Sequence, residues 1–131
     1  MSNLELAKWW AALAGVVLVL VGLLGFVSNP LVGAQAGALV PTDALHNVVH
    51  LVTGALALYI AFGLKGQNLA NGVIGFGVLY TVIFLAVLIS PNLFGLFSVS
   101  ANVVLHVIHF ALAAVSLAVG YMARTAVMRT A

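Results

Sequence analysis

The sequence predicts an all-α integral membrane protein in which four transmembrane helices form two helical hairpins and pack as one bundle. Of its 131 residues, 65% are hydrophobic and only 5% are charged, whereas a soluble domain carries about 25% charged residues. Such a chain cannot cover a water-facing surface. Four apolar runs without Lys, Arg, Asp or Glu are each long enough to cross the hydrocarbon, which takes roughly 20 helical residues.

The predicted spans follow one another along a single domain, residues 1–131. In lipid the backbone must satisfy its own hydrogen bonds, which favours helices, and the runs lack the alternating pattern of barrel strands. The four spans are Trp9–Val27, Ala44–Leu64, Leu69–Ile89 and Val103–Met122.

Three connections separate these spans. Residues 28–42 contain two prolines and two glycines, so they are predicted to form a loop. Thr42 or Asp43 is a suitable N-cap for the second span. Residues 65–68 form a short polar turn, and residues 90–102 form a loop whose apolar part is expected to lie in the membrane interface.

The orientation follows from four cations. Lys8, Lys65, Arg124 and Arg129 lie before the first span, in the short turn and after the fourth span, while the two longer loops carry none. The positive-inside rule then predicts cytoplasmic N and C termini in a bacterial inner membrane. Trp9, Trp10 and Tyr121 are expected in an aromatic belt at the inner interface.

The two halves of the chain, about 1–64 and 65–131, resemble each other. The end of the first span and its Ser-Asn-Pro at 28–30 parallel the end of the third span and its Ser-Pro-Asn at 90–92. Leu-His pairs also recur at the starts of the second and fourth spans. We therefore predict an internal duplication whose hairpins cross the membrane in the same sense, and small residues where helices approach closely.

Composition excludes several classes of function. The chain has no cysteine and only two carboxylates, Glu5 and Asp43, which lie far apart in sequence. Thiolate sites and paired-carboxylate hydrolysis are therefore not expected. No nucleotide fingerprint, catalytic triad or basic patch for nucleic acid is present. We predict no catalytic residues and hence no enzyme.

All four histidines lie near the starts of the second and fourth spans. His46 and His50 are one helical turn apart, and His106 and His109 are three residues apart, so each pair is expected on one helix face. Because the duplicated hairpins cross the membrane in the same sense, all four imidazoles are expected at a similar depth near the outer surface. The positive helix end there disfavours imidazolium, and neutral imidazole is the form that binds metals.

Four interpretations of these histidines remain open, and a proton relay is the last of them. The imidazoles can simply hydrogen-bond loop carbonyls, Asp43, Asn47, Asn102 or interfacial water. They can bind a b-type haem or a chlorin pigment as axial ligands between the second and fourth spans. They can also hold a zinc or copper ion. For either kind of site the candidate ligands are His46, His50, His106 and His109.

The layout resembles a bacterial family of four-span membrane proteins known as domain of unknown function 4383. The similarity covers roughly residues 13–121. It is carried by the motifs GLLGFV at 22–27, NVVHLVTG at 47–54, GVLY at 77–80, LFGLF at 93–97 and NVVLH at 102–106. The resemblance implies four spans and duplicated halves, and it brings no activity. His46, His109 and the lack of a glycine four residues after His106 depart from the family pattern.

Two functions are therefore expected from the sequence. The first is a non-enzymatic membrane protein in the lipid bilayer that serves as a subunit or interaction protein, with other membrane subunits or copies of itself as partners. Its basis is the glycine- and alanine-rich spans with almost no soluble mass. The second is a haem-, pigment- or metal-binding membrane protein that uses the four histidines. No nucleic-acid partner is expected.

Overall fold

Four long helices make up most of the chain in a computed structural model that describes residues 1–130. All four are long and apolar enough to cross a membrane, as predicted. Two short strands between the first two helices pair in parallel, with Val32 opposite Val40. The elements are α1 (Asn3–Leu24), β1 (Val32–Gly33), β2 (Val40–Pro41), α2 (Ala44–Gly63), α3 (Gly66–Ile89) and α4 (Val103–Thr130).

The first helix begins before the apolar run that predicted it. Ser2 is its N-cap: the Ser2 hydroxyl accepts a hydrogen bond from the Glu5 N–H at 3.1 Å, and the Glu5 carboxylate accepts one from the Ser2 N–H at 3.4 Å. This capping box satisfies two backbone donors that the helix leaves free. Helical structure therefore includes the charged residues Glu5 and Lys8, which hydropathy alone had left outside.

The predicted cap of the second helix is confirmed. Asp43 precedes α2, and its carboxylate accepts the N–H of His46 at 2.9 Å. A side-chain oxygen at this position satisfies a donor that has no partner inside the helix. The cap sets the start of α2, and with it the depth of the two histidines in its first two turns.

Each hairpin is closely packed through glycines, as the sequence predicted. In the first hairpin, a Cβ on Gly15 would lie 2.9 Å from the Gly54 carbonyl oxygen. In the second, a Cβ on Gly77 would lie 2.9 Å from the backbone nitrogen of Leu117. Gly75 instead faces open space, with nothing within 4 Å of such a Cβ. Small residues thus bring α1 close to α2 and α3 close to α4.

The two hairpins meet mainly through α1 and α4. Helices α2 and α3 contact each other far less than the two helices of either hairpin do, and the backbones of α2 and α4 do not contact each other in the described range. Trp10 links α1 to α4, because its indole N–H donates to the Ser116 hydroxyl at 2.8 Å. Trp10 therefore faces the bundle, while the neighbouring Trp9 is exposed, as a residue of an interfacial aromatic belt would be.

The two longer loops lie together at one end of the bundle. The Asn102 side chain donates to the Leu39 carbonyl at 3.0 Å, and Ser98 donates to Asp43 through its backbone N–H and its hydroxyl. The expectation that α2 and α4 start at the same end is thereby confirmed. The internal duplication stays a prediction, since paired hairpins also occur in unrelated bundles.

Candidate metal centre

Three of the four histidines converge inside the bundle. His46, His50 and His109 each offer a ring nitrogen, and these atoms lie within 4.8 Å of one another. The side chains are only 3%, 3% and 1% exposed, respectively. The ring centroids of His46 and His50 are 4.3 Å apart, and those of His46 and His109 are 6.1 Å apart. We call this group the three-histidine cluster.

The cluster is built across the diagonal of the bundle. His46 and His50 are four residues apart on α2, which places them on one helix face. His109 reaches them from α4, whose backbone does not approach α2. At a rise of about 1.5 Å per residue, His50 and His109 each lie about 10 Å into their helix, measured from its first residue next to the loop. The imidazoles therefore occupy space that no backbone fills.

His106 stays outside the cluster. It lies three residues before His109, which turns its side chain by about 60° around the helix axis, and it is half-buried rather than buried. The structure therefore brings together three of the four candidate ligands, and the residue that α4 contributes is His109. His106 and His109 lie on the same side of α4, as positions three apart do, but His106 is not part of the group that could share one ion.

Ring nitrogens of the cluster lack ordinary hydrogen-bond partners. The Nδ1 atoms of His50 and His109 are buried and make no hydrogen bond within residues 1–130. Two of the partners expected from the sequence are engaged elsewhere: Asp43 accepts from Ser98, and the Asn102 amide caps α4 by accepting from the Leu105 N–H. The third, Asn47, has a buried side-chain oxygen that is itself unpaired within residues 1–130. The hydrogen-bonded interpretation of these histidines stays a prediction.

A cavity of about 180 Å³ borders all three imidazoles. Its remaining wall is almost wholly apolar. On the loop side, the ring of Phe97 stacks on His46 with the centroids 4.5 Å apart and the planes 6° apart. The other lining residues are Val49, Tyr80, Val82, Ile83, Ala86, Val87 and Leu93.

Tyr80 lines the cavity and is held by a hydrogen bond to Thr53. Their hydroxyls are 2.7 Å apart in a buried hydrogen bond, and Thr53 also bonds to the Val49 carbonyl at 2.8 Å. The Tyr80 ring lies 6.1 Å from that of His109. Sequence reasoning did not identify Tyr80 or Phe97 as site residues. A tyrosine within an apolar span was the available signal for Tyr80, and the position of Phe97 depends on the loop fold.

A pair of hydrogen bonds, here called the Asp43–Ser98 latch, holds the loop over the site. The Asp43 carboxylate accepts both the N–H and the hydroxyl of Ser98, one residue beyond Phe97. Burial by itself would raise the pKa of Asp43, but the hydrogen bonds from His46 and Ser98 outweigh this and hold the pKa below its usual value of 3.8. The latch is therefore charged, and strongest, at neutral pH.

The arrangement suits a metal ion better than a macrocycle. Three imidazoles with one open position are typical of zinc sites, and imidazole also suits copper. Pockets that hold drug-sized ligands and cofactors measure about 300–1,000 Å³, whereas this cavity measures about 180 Å³. The cavity volume therefore favours a metal ion, and the haem or chlorin interpretation stays a prediction.

Comparison with known proteins identifies the family of the chain. No curated protein and no solved structure matches it. The family described as Domain of unknown function (DUF4383) matches residues 8–122, which include nearly all of the four-helix bundle and all four histidines. This agrees with the resemblance carried by the sequence motifs. The chain therefore belongs to the DUF4383 family.

Proposed function

We propose that this membrane protein binds one transition-metal ion of the copper or zinc type through His46, His50 and His109. The observation that carries the proposal is the convergence of three buried imidazoles whose ligand atoms lie within 4.8 Å of one another. No acidic side chain joins this group in the described residues. We therefore propose binding rather than catalysis as the role of the site.

The unpaired ring nitrogens support a bound ion. A buried polar atom without a partner costs about 1–3 kcal/mol. The Nδ1 atoms of His50, His109 and His106 are such atoms within the described residues, and those of His50 and His109 belong to the cluster. Coordination through a ring nitrogen, or rotation of a ring to bring that nitrogen to the ion, would remove part of this cost. The unusual burial of three imidazoles in one place is then explained by a ligand that they share.

Charge favours copper(I) over zinc(II). The three imidazoles are neutral ligands, and the nearest carboxylate, Asp43, already accepts hydrogen bonds from His46 and Ser98. Because burying uncompensated charge in an apolar environment is costly, a singly charged ion is easier to hold here than a doubly charged one. Zinc(II) binding would need an additional anion at the open position.

The proposed location rests on the positive-inside rule applied to the sequence. With both termini in the cytoplasm, the three-histidine cluster would lie near the outer face of a bacterial inner membrane. A metal site at that depth would be accessible to the partners expected from the sequence, which are other membrane subunits or further copies of this chain. The described residues carry no feature that selects a particular partner.

Copper binding to purified protein tests the proposal. The full chain is reconstituted in nanodiscs, loaded with copper(I) from a competing chromogenic chelator, and analysed for metal content and affinity. We expect one copper ion per chain. Replacing His46, His50 or His109 by alanine should weaken binding by more than the roughly 10–100-fold that follows loss of an outer-shell partner.

His106→Ala is the matched control, because His106 lies three residues from His109 on the same helix but outside the cluster. Its copper affinity should stay within about threefold of the wild type, well below the roughly 10–100-fold effect of an outer-shell change. Equal losses for His106→Ala and His109→Ala, or a wild-type protein that takes up neither copper nor zinc, would refute the proposal.

A further inference from the structure

We infer that the metal held by the three-histidine cluster keeps one coordination position for a small, uncharged ligand that reaches it from the lipid. This inference rests on the proposed metal binding and specifies what the site does with its ion. It is carried by the shape, lining and exposure of the cavity beside the imidazoles.

The cavity places its free volume directly against the ligands. His46, His50 and His109 all border it, so an ion held by their nitrogens would face a space of about 180 Å³. An apolar cavity of about 150 Å³ is large enough to take up benzene or xenon. The space beside the ion is thus sufficient for a molecule between the sizes of carbon monoxide and benzene.

The lining selects against charged ligands. Among the described residues, Tyr80 is the only polar side chain at the cavity wall apart from the imidazoles, and its hydroxyl is already paired with Thr53 at 2.7 Å. No lysine, arginine or acidic residue of the described range lines the space. An anion would lose its hydration without gaining a partner beyond the metal, which is costly in an apolar site.

The wall of the cavity reaches the side of the bundle at α3. Val82 lines the cavity and is 61% exposed on the surface of α3, which lies in the hydrocarbon of a membrane. Helices α2 and α3 pack against each other only weakly. The loop end is instead covered by Phe97 and held by the Asp43–Ser98 latch. A ligand therefore reaches the metal most directly from the lipid, between α2 and α3.

Carbon monoxide is the probe for this inference, because it is small, uncharged and lipid-soluble and binds copper(I) without changing its charge. The copper(I)-loaded full chain in nanodiscs should give a single C–O stretching band in the infrared spectrum. Ala86 lines the cavity, and Ala86→Phe would fill it. We expect this variant to keep its copper and to lose at least about nine-tenths of the band.

Val78→Phe is the matched control. Val78 lies on α3, is exposed, and does not line the cavity, so the same bulky side chain should leave the band unchanged. If Ala86→Phe fails to take up copper, the smaller Ala86→Leu serves in its place. A copper-loaded wild type without a C–O band, or a cavity-filled variant with the full band, overturns the inference while metal binding stands. A wild type that binds no copper overturns both.

The route is tested by the rate at which carbon monoxide rebinds after photolysis. Ser98→Ala removes one of the two hydrogen bonds of the latch and loosens the loop side. A lateral route predicts an unchanged rebinding rate in Ser98→Ala and a slower one in Ala86→Leu. Faster rebinding in Ser98→Ala would show that the ligand passes through the loop instead, and would overturn the lateral route.

Discussion

Replacing Gly54 by alanine should loosen the first hairpin, whereas the same change at Gly75 should not. A Cβ on Gly54 would lie 2.8 Å from Val19 Cγ2, 2.9 Å from the Val19 backbone nitrogen and 3.0 Å from the Gly15 carbonyl oxygen. Two of these three atoms belong to the backbone, so the new methyl group fits only if α1 moves away from α2. A Cβ on Gly75 would meet nothing within 4 Å.

The size of the effect follows from two opposing contributions. Inserting a methyl group into a well-packed interface costs about 1–3 kcal/mol, while alanine in place of glycine inside a helix stabilises by up to about 1 kcal/mol. The change at Gly54 should therefore lower the free energy of unfolding by about 0–3 kcal/mol. The change at Gly75 should leave it unchanged or raise it by up to about 1 kcal/mol.

Reversible unfolding by sodium dodecyl sulfate in mixed micelles measures this difference. Tryptophan fluorescence is a suitable signal, because the Trp10 indole bonds to Ser116 between α1 and α4. The free energy of unfolding of Gly54→Ala should be lower than that of Gly75→Ala by about 1–3 kcal/mol. Substitutions on a protein surface usually change stability by less than about 0.5 kcal/mol. If the two variants differ by less than this, the close approach of α1 and α2 at Gly54 is contradicted.

Two further predictions concern the site's supports and use the same unfolding assay. The pKa of Asp43 is lowered in the folded chain, so its contribution to stability is complete above its unfolded pKa and is lost as pH falls through the folded value. The Asp43→Asn variant should therefore be less stable than the wild type near pH 6 and should lose less stability on acidification to pH 3. Identical pH profiles of the two proteins would contradict the latch. Tyr80→Phe should cost about 0.5–1.5 kcal/mol, because the buried hydrogen bond to Thr53 is lost. Tyr59→Phe, at an exposed position, is its control, and equal effects at both tyrosines would count against that bond.

Local chemistry determined the helices of this protein. The apolar runs predicted four spans because a chain in lipid must satisfy its own backbone, and Asp43 marked the start of α2 because a carboxylate pairs with free N–H groups there. The start of α1 was missed, since Ser2 and Glu5 form a capping box among polar residues that hydropathy does not score. A capping-box search at the N terminus would have found it.

The histidine site was predictable in part. Four imidazoles near two helix starts indicated a shared depth, and the meeting of the loops through Asn102 and Leu39 confirms that both starts lie at one end. The choice of His109 over His106 was not predictable. Residues three apart differ by about 60° around the axis, and which of them faces inward depends on how α4 is rotated against α1 and α3.

Sequence alone thus determined the membrane-spanning helices, their order and the level at which the histidines enter the bundle. Only the tertiary structure decided that α2 and α4 lie diagonally, that three imidazoles fill the gap between them, and that Phe97 covers the group. The reason is physical: helix formation depends on residues within a few turns of one another, whereas the cluster depends on the rotation and separation of helices distant in sequence. Those are set by close contacts such as that between Gly15 and Gly54, whose partners the sequence does not specify.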